Sequence, residues 1–361
     1  MEKIRTEFPV IRKGIYANTA VYGPMYDSLL DWRQEHDLDF LLHGSAMRER
    51  SLKILSDTRS TVGEFFNCKR ENVALVPNFS TALNLLLEGL QQKTKVLLLE
   101  NDYPSVNWSF ENRDFDISYV QMDADIEERI QETIRANTIE VLALSMVQWL
   151  DGFLMDTDFF KELKKSHPNL IIIVDGTQFC GTRTFDFTNS GIDVLGASAY
   201  KWLLAGYGNG FMLFSDSVQE RFSVRSTGFN AANGDLSKKD SIRFAKKMEP
   251  GHLSCLNFGS LKFSLDFMSN IGMDKISAHN KSLSIKAKQE FAALGLLEQD
   301  ILKREAHSTI FNIKGDTALF KKLLENDVLC AQRGNGIRLS FHFYNTLKEI
   351  DEIVRIVKTV R

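Results

Sequence analysis

Apolar positions along the chain change period several times, and each change marks an element. Over residues 25–67, Leu29, Leu30, Trp32, Leu38, Phe40, Leu41, Leu52, Leu55, Val62 and Phe65 recur at helical spacing. Gly44 divides that stretch into two expected helices. Between residues 73 and 175, short β-branched or leucine-rich runs alternate with amphipathic ones. VALV, KVLLLE, DISYVQM, IEVLALSMV and LIIIVD read as strands. FSTALNLLLEGL, SVNWSFENR, DIEERIQETIRAN and TDFFKELKKSH read as helices. This alternation predicts a mostly parallel sheet with helices on both faces. Two further apolar runs, 193–197 and 210–214, flank Lys201 in the chain.

Downstream, SDSVQERF reads as a helix. Residues 225–250 are rich in Gly, Asn, Ser and Lys without an apolar period, which predicts an active-site or interface loop or a partly mobile one. Residues 255–268 and 274–297 read as helices with a break at 271–273. The tail alternates again: STIFNIKG and GIRLSFHF as strands, DTALFKKLLEND and TLKEIDEIVRIVKTV as helices. Thr346 and Glu349 form a capping box for the last helix. The expected architecture is α/β. A three-layer α/β/α domain occupies residues 25–250, and a small α+β domain 251–361. An N-terminal segment, 1–24, packs on the small domain.

A chain of 361 residues is long enough for two domains, and 43% hydrophobic with 25% charged residues is ordinary for a globular protein. A net charge of −3 supplies no basic field for nucleic acid or an acidic membrane, so neither is an expected partner. Cys68, Cys180, Cys255 and Cys330 are scattered without a CxxC pair, which argues against a zinc site and a disulfide framework. The opening MEKIRTEFPV lacks the apolar run of a signal peptide, and no stretch approaches the roughly 20 apolar residues of a spanning helix. A cytoplasmic setting is expected. No HExxH, Walker-type loop or GxSxG elbow is present, and Gly206, Gly208 and Gly210 are misspaced for a dinucleotide loop.

Candidate chemistry gathers at strand ends, where open α/β sheets bind ligands. LIIIVD ends at Asp175, followed by Gly176, Thr177 and Gln178, and Lys201 closes a Ser198-Ala-Tyr-Lys turn. A lysine amine and a strand-end carboxylate suit pyridoxal phosphate, which needs a Schiff-base amine and an acid facing its ring nitrogen. Either residue alone is ordinary. The strand–turn–helix around residues 73–87 suits an anion at the helix N-terminus, with Ser80 and Thr81 as hydroxyl donors, or equally a plain N-cap. Tyr103 has the amphipathic ring to stack on a planar cofactor.

Taken together these segments resemble fold-type-I pyridoxal phosphate enzymes of the class V aminotransferase and cysteine desulfurase superfamily, over nearly the whole chain. Asp175-Gly-Thr-Gln178 resembles the family signature whose Asp pairs with the pyridine nitrogen and whose Gln approaches the ring hydroxyl. Ser198-Ala-Tyr-Lys201 resembles the turn carrying the Schiff-base lysine, with Tyr200 where the family has a phosphate-contacting histidine. Asn78-Phe79-Ser80-Thr81 is similar to the phosphate cup, and Tyr103 stands near the ring-stacking position. Glu249-Pro-Gly-His252 is similar to the segment that reaches a neighbouring subunit's phosphate, which implies a homodimer. Arg338 matches the arginine that grips the substrate carboxylate. The resemblance implies an aminotransferase-like enzyme acting on a small amino acid through Lys201 and Asp175. The alternatives are a cysteine or selenocysteine lyase or desulfurase, an amino-acid epimerase, and a cofactor-binding relative without turnover. Cys330 lies too close ahead of Arg338 for a persulfide-carrying loop. Trp149, Arg183 and Arg333 are candidate pocket residues, a surface salt bridge being the expected role of both arginines.

Overall fold

The computed structural model describes residues 2–360. Seven strands form the principal sheet: β1 (Val73–Val76), β2 (Lys95–Leu99), β3 (Asp116–Val120), β4 (Val141–Ser145), β5 (Ile171–Asp175), β6 (Val194–Ser198) and β7 (Gly210–Phe214). Their order is β1-β7-β6-β5-β4-β2-β3. The strands run parallel except β7, which is antiparallel to both neighbours. A parallel return needs a crossover of roughly a dozen residues or more, usually a helix. The link from β6 to β7, residues 199–209, forms no helix, so β7 comes back antiparallel, and that link carries Lys201.

Every residue of β1, β4, β5, β6 and β7 is buried, because apolar side chains leave both faces of the sheet. Leu142, Leu144, Ile172 and Val174 point into one core with helices Ile126–Asn137 and Thr157–Ser166. Val141, Ala143, Ile171 and Ile173 point into the other with helices Phe79–Leu87 and Pro104–Glu111. The architecture is the three-layer α/β/α arrangement expected.

Helices Asp27–His43 and Arg48–Phe66 lie where the period indicated, with Gly44 between them. Cys255–Ile271 runs along Arg48–Phe66, where Thr58 Oγ1 donates to Phe258 O at 3.1 Å. Gly272, with φ +96°, separates it from helix Met273–Ala293. Beyond it, β8 (Ile310–Lys314), β9 (Ala331–Arg333) and β10 (Gly336–Ser340) form an antiparallel sheet in the order β9-β10-β8. Both bonds of the Thr346–Glu349 capping box are made. Ile15–Tyr16 pairs in parallel with Val328–Leu329, and Asn18 bridges Ser340.

Short elements depart from the pattern. SDSVQERF contains a 3-10 turn at Gln219–Arg221 rather than a helix, anchored through buried Val218 and Phe222. The 225–250 stretch holds a 3-10 turn at Leu236–Ser241 and a one-turn helix, Phe244–Lys247, fastened by Ala245 and Met248. Such pieces span at most six residues, too few for a helical period to recur, so periodicity cannot register them. Among the described residues, no helix is long and apolar enough to cross a membrane.

Candidate active site

β5 and β6 pair in parallel with Asp175 level with Gly196, so the turns that follow them open on the same sheet edge. Asp175 is buried at that edge, and its Oδ1 accepts from Thr177 N at 2.8 Å. Thr177 Oγ1 accepts from Ser198 N at 3.1 Å, which fastens the two turns to one another. Lys201 is buried two residues past Ala199. The NTAVYGP segment crosses directly over it: Gly23 N donates to Tyr200 O at 2.9 Å, and a Cβ on Gly23 would stand 1.8 Å from Lys201 O. Only glycine permits that approach.

Burial pushes the Asp175 carboxyl up from its ordinary value and the Lys201 amine down. Their mutual attraction offsets part of both shifts, while the Arg338 charge depresses Lys201 further. Lys201 Nζ lies 5.7 Å from the Tyr103 ring centre and 5.5 Å from that of Tyr200. Tyr103 meets Trp149 edge-on, and Tyr200 stacks on Tyr207 with centres 4.6 Å apart. Arg338, also buried, donates through Nη1 to Trp149 O. Its Nε has no hydrogen-bond partner and its guanidinium no ion pair among the described residues. Burial and the neighbouring Arg333 charge hold it down at about 10.

The helix Phe79–Leu87 starts against this turn. Phe79 N donates to Ser198 Oγ at 2.9 Å, and Asn78 Oδ1 caps Thr81 N at 2.8 Å. Ser80 Oγ donates to Ser105 Oγ at 2.6 Å, while Thr81 is exposed. The N-cap reading therefore holds, and the capped end abuts the Lys201 turn. Gln178 is engaged at both ends: Nε2 donates to Ala20 O at 3.0 Å, and Oε1 accepts from Trp202 Nε1 at 2.6 Å. His342 Nε2 donates to Trp202 O at 3.0 Å, so the residue after Lys201 is held from two sides.

The structure thus gathers Lys201, Asp175, Tyr103, Tyr200, Arg338, Ser198 and Phe79 around one strand-end edge, with Gln178 and Ser80 just behind. His252 stands apart, exposed, its nearest ring Phe229 at 6.1 Å. Neither Arg183 nor Arg333 forms the surface salt bridge expected of it, among the described residues. Arg183 lies over the Phe179 ring at 5.7 Å, and Arg333 donates only to Gln332 O. Pattern reading passed over Thr177 and Asp102. Asp102 is buried, accepts from Tyr103 N at 2.6 Å and from Ser145 N at 2.8 Å, and its charge raises Asp175. Its place just after β2, one residue before Tyr103-Pro104, was the available signal. Cys330 is buried between two short strands, and burial pushes its thiol up to about 12.

A buried amine opposite a buried carboxylate at the strand ends of a three-layer sheet marks the place where α/β enzymes bind their ligands. The profile of the family described as Aminotransferase class-V matches residues 42–353, and the chain belongs to that family. It is a pyridoxal phosphate-dependent enzyme of the family. The chain is 24% identical to the uncharacterized aminotransferase YcbU of Bacillus subtilis over 98% of its own length and 97% of the relative's. It is 22% identical to a probable cysteine desulfurase of Methanothermobacter thermautotrophicus, covering 97% and 95%. A solved C-DES variant with glycine covalently linked to its pyridoxal phosphate shares the fold, with a TM-score of 0.86 at 16% identity and 98% of each chain covered.

The residues present suit that cofactor. Asp175 is a buried carboxylate on which Lys201 is the one cation acting among the described residues. Arg338 is a buried cation whose Nε lacks an acceptor. A protonated ring nitrogen complements the first, and an amino-acid carboxylate the second.

Proposed function

We propose that the protein transfers the amino group of a small amino acid, with Lys201 as attachment and proton-transfer residue. The carrying observation is the buried Lys201–Asp175 pair with Arg338 unpaired beside it. When bound, pyridoxal phosphate supplies a carbonyl carbon for the amino group and a ring that withdraws the electron pair released at the substrate Cα. Asp175 would hold a proton on the ring nitrogen. Tyr103 would hold the ring, and the capped start of helix Phe79–Leu87 with Ser80 and Ser198 would hold the phosphate. Thr81, Tyr200 and Gln178 line that turn, and Gln178 retains one amide proton for the ring hydroxyl. Arg338 binds the substrate carboxylate through its guanidinium fork.

With the cofactor held, Lys201 Nζ would be its attachment point and, when free, the base for the substrate Cα proton. Burial lowers its affinity for that proton, so the free base is available nearer neutrality than for an exposed lysine. Water is kept from Nζ by Tyr103, Tyr200 and the overlying Gly23 segment. A desulfurase needs an exposed, low-pKa thiol to accept sulfur, whereas Cys330 is buried and its thiol is raised. That favours amino transfer over the cysteine desulfurase reading.

A second copy of the chain completes the assembly in this proposal. Leu38, Leu41, Leu42 and Leu52 are 52% to 80% exposed on helices Asp27–His43 and Arg48–Phe66, more apolar surface than a lone subunit usually shows in one place. Exposed His252 is a further interface residue in this proposal. Four free cysteines support a reducing, cytoplasmic setting.

The test is a half-reaction on the purified holoenzyme. Adding alanine, aspartate or glutamate should move the cofactor's visible band and release one equivalent of the 2-oxo acid. Sulfide or alanine release from cysteine, without any 2-oxo acid from the panel, would replace amino transfer by the lyase reading.

A further inference from the structure

The face of the small sheet that carries Arg338 carries a second guanidinium. In the antiparallel register Ala331 stands opposite Arg338, and Arg333 opposite Gly336. Directly paired residues project to the same face, and so do residues two apart on one strand, so Arg333 and Arg338 are diagonal neighbours on one face. Gly336 places no side chain between them. The hairpin is held in position: Asn312 Nδ2 donates to Arg333 O at 3.1 Å, and Leu150 Cδ1 would meet a Cβ on Gly334 at 3.2 Å. Leu150 follows Trp149, whose carbonyl accepts from Arg338. The Arg333 end of the hairpin therefore sits at the rim of the same strand-end edge.

Two like charges side by side repel, and burial of Arg338 sharpens the effect of Arg333 upon it. Lys314, a third cation on that face opposite Gly336, is matched by Glu298 at 3.2 Å. Arg333 has no acidic partner among the described residues. A ligand with two anionic groups, one for each guanidinium, satisfies both.

We propose that Arg333 pairs with an acidic group on the substrate side chain, so that the preferred amino donor is a short amino acid with an anionic side chain. This rests on the amino-transfer reading above, with Arg338 taking the α-carboxylate. Arg333 discriminates between donors, since an uncharged side chain such as that of alanine offers this exposed guanidinium no anion to pair with.

The holoenzyme and its Arg333→Gln and Arg333→Lys variants would be compared in single-turnover absorbance with alanine, aspartate and glutamate. Retention of the visible band in each variant reports that the site is folded. The wild-type protein should favour one of the two diacids over alanine by ~10-fold or more in kcat/KM. In Arg333→Gln that ratio should fall by a similar factor through a raised KM, and Arg333→Lys should recover part of it. A wild-type preference for alanine, or a ratio unaltered by Arg333→Gln, would overturn the assignment and leave amino transfer standing. A band that none of the three donors moves would overturn both.

Discussion

Two buried charge clusters in this protein are built on opposite plans. Glu249 is 1% exposed, yet Arg59 binds both its oxygens, Lys246 donates at 2.8 Å and Leu75 N at 2.8 Å. Burial alone pushes that carboxyl up, and Arg59 and Lys246 more than offset it, leaving Glu249 below the usual range. Asp175 is almost as buried, but its partners are the backbone and hydroxyl of Thr177 and a lysine whose own charge burial disfavours, and its carboxyl is raised. Arg338 is buried with no carboxylate paired to it among the described residues. The first cluster is complete within the chain and ties β1 to the segment ending at Pro250. The second has charges left over, and in a folded protein leftover buried charge is tolerated where a ligand completes it.

That contrast can be broken by substitution. Lys201→Ala should lower turnover by ~10³-fold or more and abolish covalent cofactor attachment, read by steady-state assay and absorbance. Glu249→Gln should cost about 3 kcal/mol in chemical denaturation, because Arg59 and Lys246 are left uncompensated. Asp175→Asn should do the reverse, with a loss of ~10²-fold in kcat and a smaller effect on the stability of the cofactor-free protein than Glu249→Gln. Equal destabilisation by the two changes would erase the distinction. Arg338→Lys should raise KM for the amino donor ~10-fold or more while leaving the cofactor band in place, since an ammonium cannot reproduce the bidentate fork.

Acid sharpens the same comparison at two neutral buried histidines. Burial holds His342 down at about 3 and His307 at about 4, both below the ordinary histidine value. The unfolded chain therefore binds protons that the folded one does not, and stability is lost as pH falls below the ordinary histidine range. Between pH 7 and pH 5 each should remove about 2 kcal/mol, and His342→Gln should flatten its share of the slope in melting experiments.

The fold was legible wherever an element was long enough to show its period. The strand-end positions of Asp175 and Lys201 followed from LIIIVD and from the small-residue turn after 193–197. The antiparallel return of β7 was not legible, because strand direction depends on the length of a connection whose ends had to be known first. Thr177 and Asp102 were missed for a related reason. Their contribution lies in hydrogen bonds to Ser198 and Ser145, residues distant in sequence that only sheet pairing brings near. Gln178 illustrates the converse: its place in the turn was evident, but its bonds to Ala20 and Trp202 required the fold.

The most direct measurement is borohydride reduction of the yellow holoenzyme, followed by proteolysis and mass mapping of the cofactor-bearing peptide. A single pyridoxyl adduct on Lys201 is the predicted result, with none in Lys201→Ala. An adduct on another lysine, or bound cofactor that reduction never fixes to the chain, would contradict the assignment of this buried amine as the centre of the site.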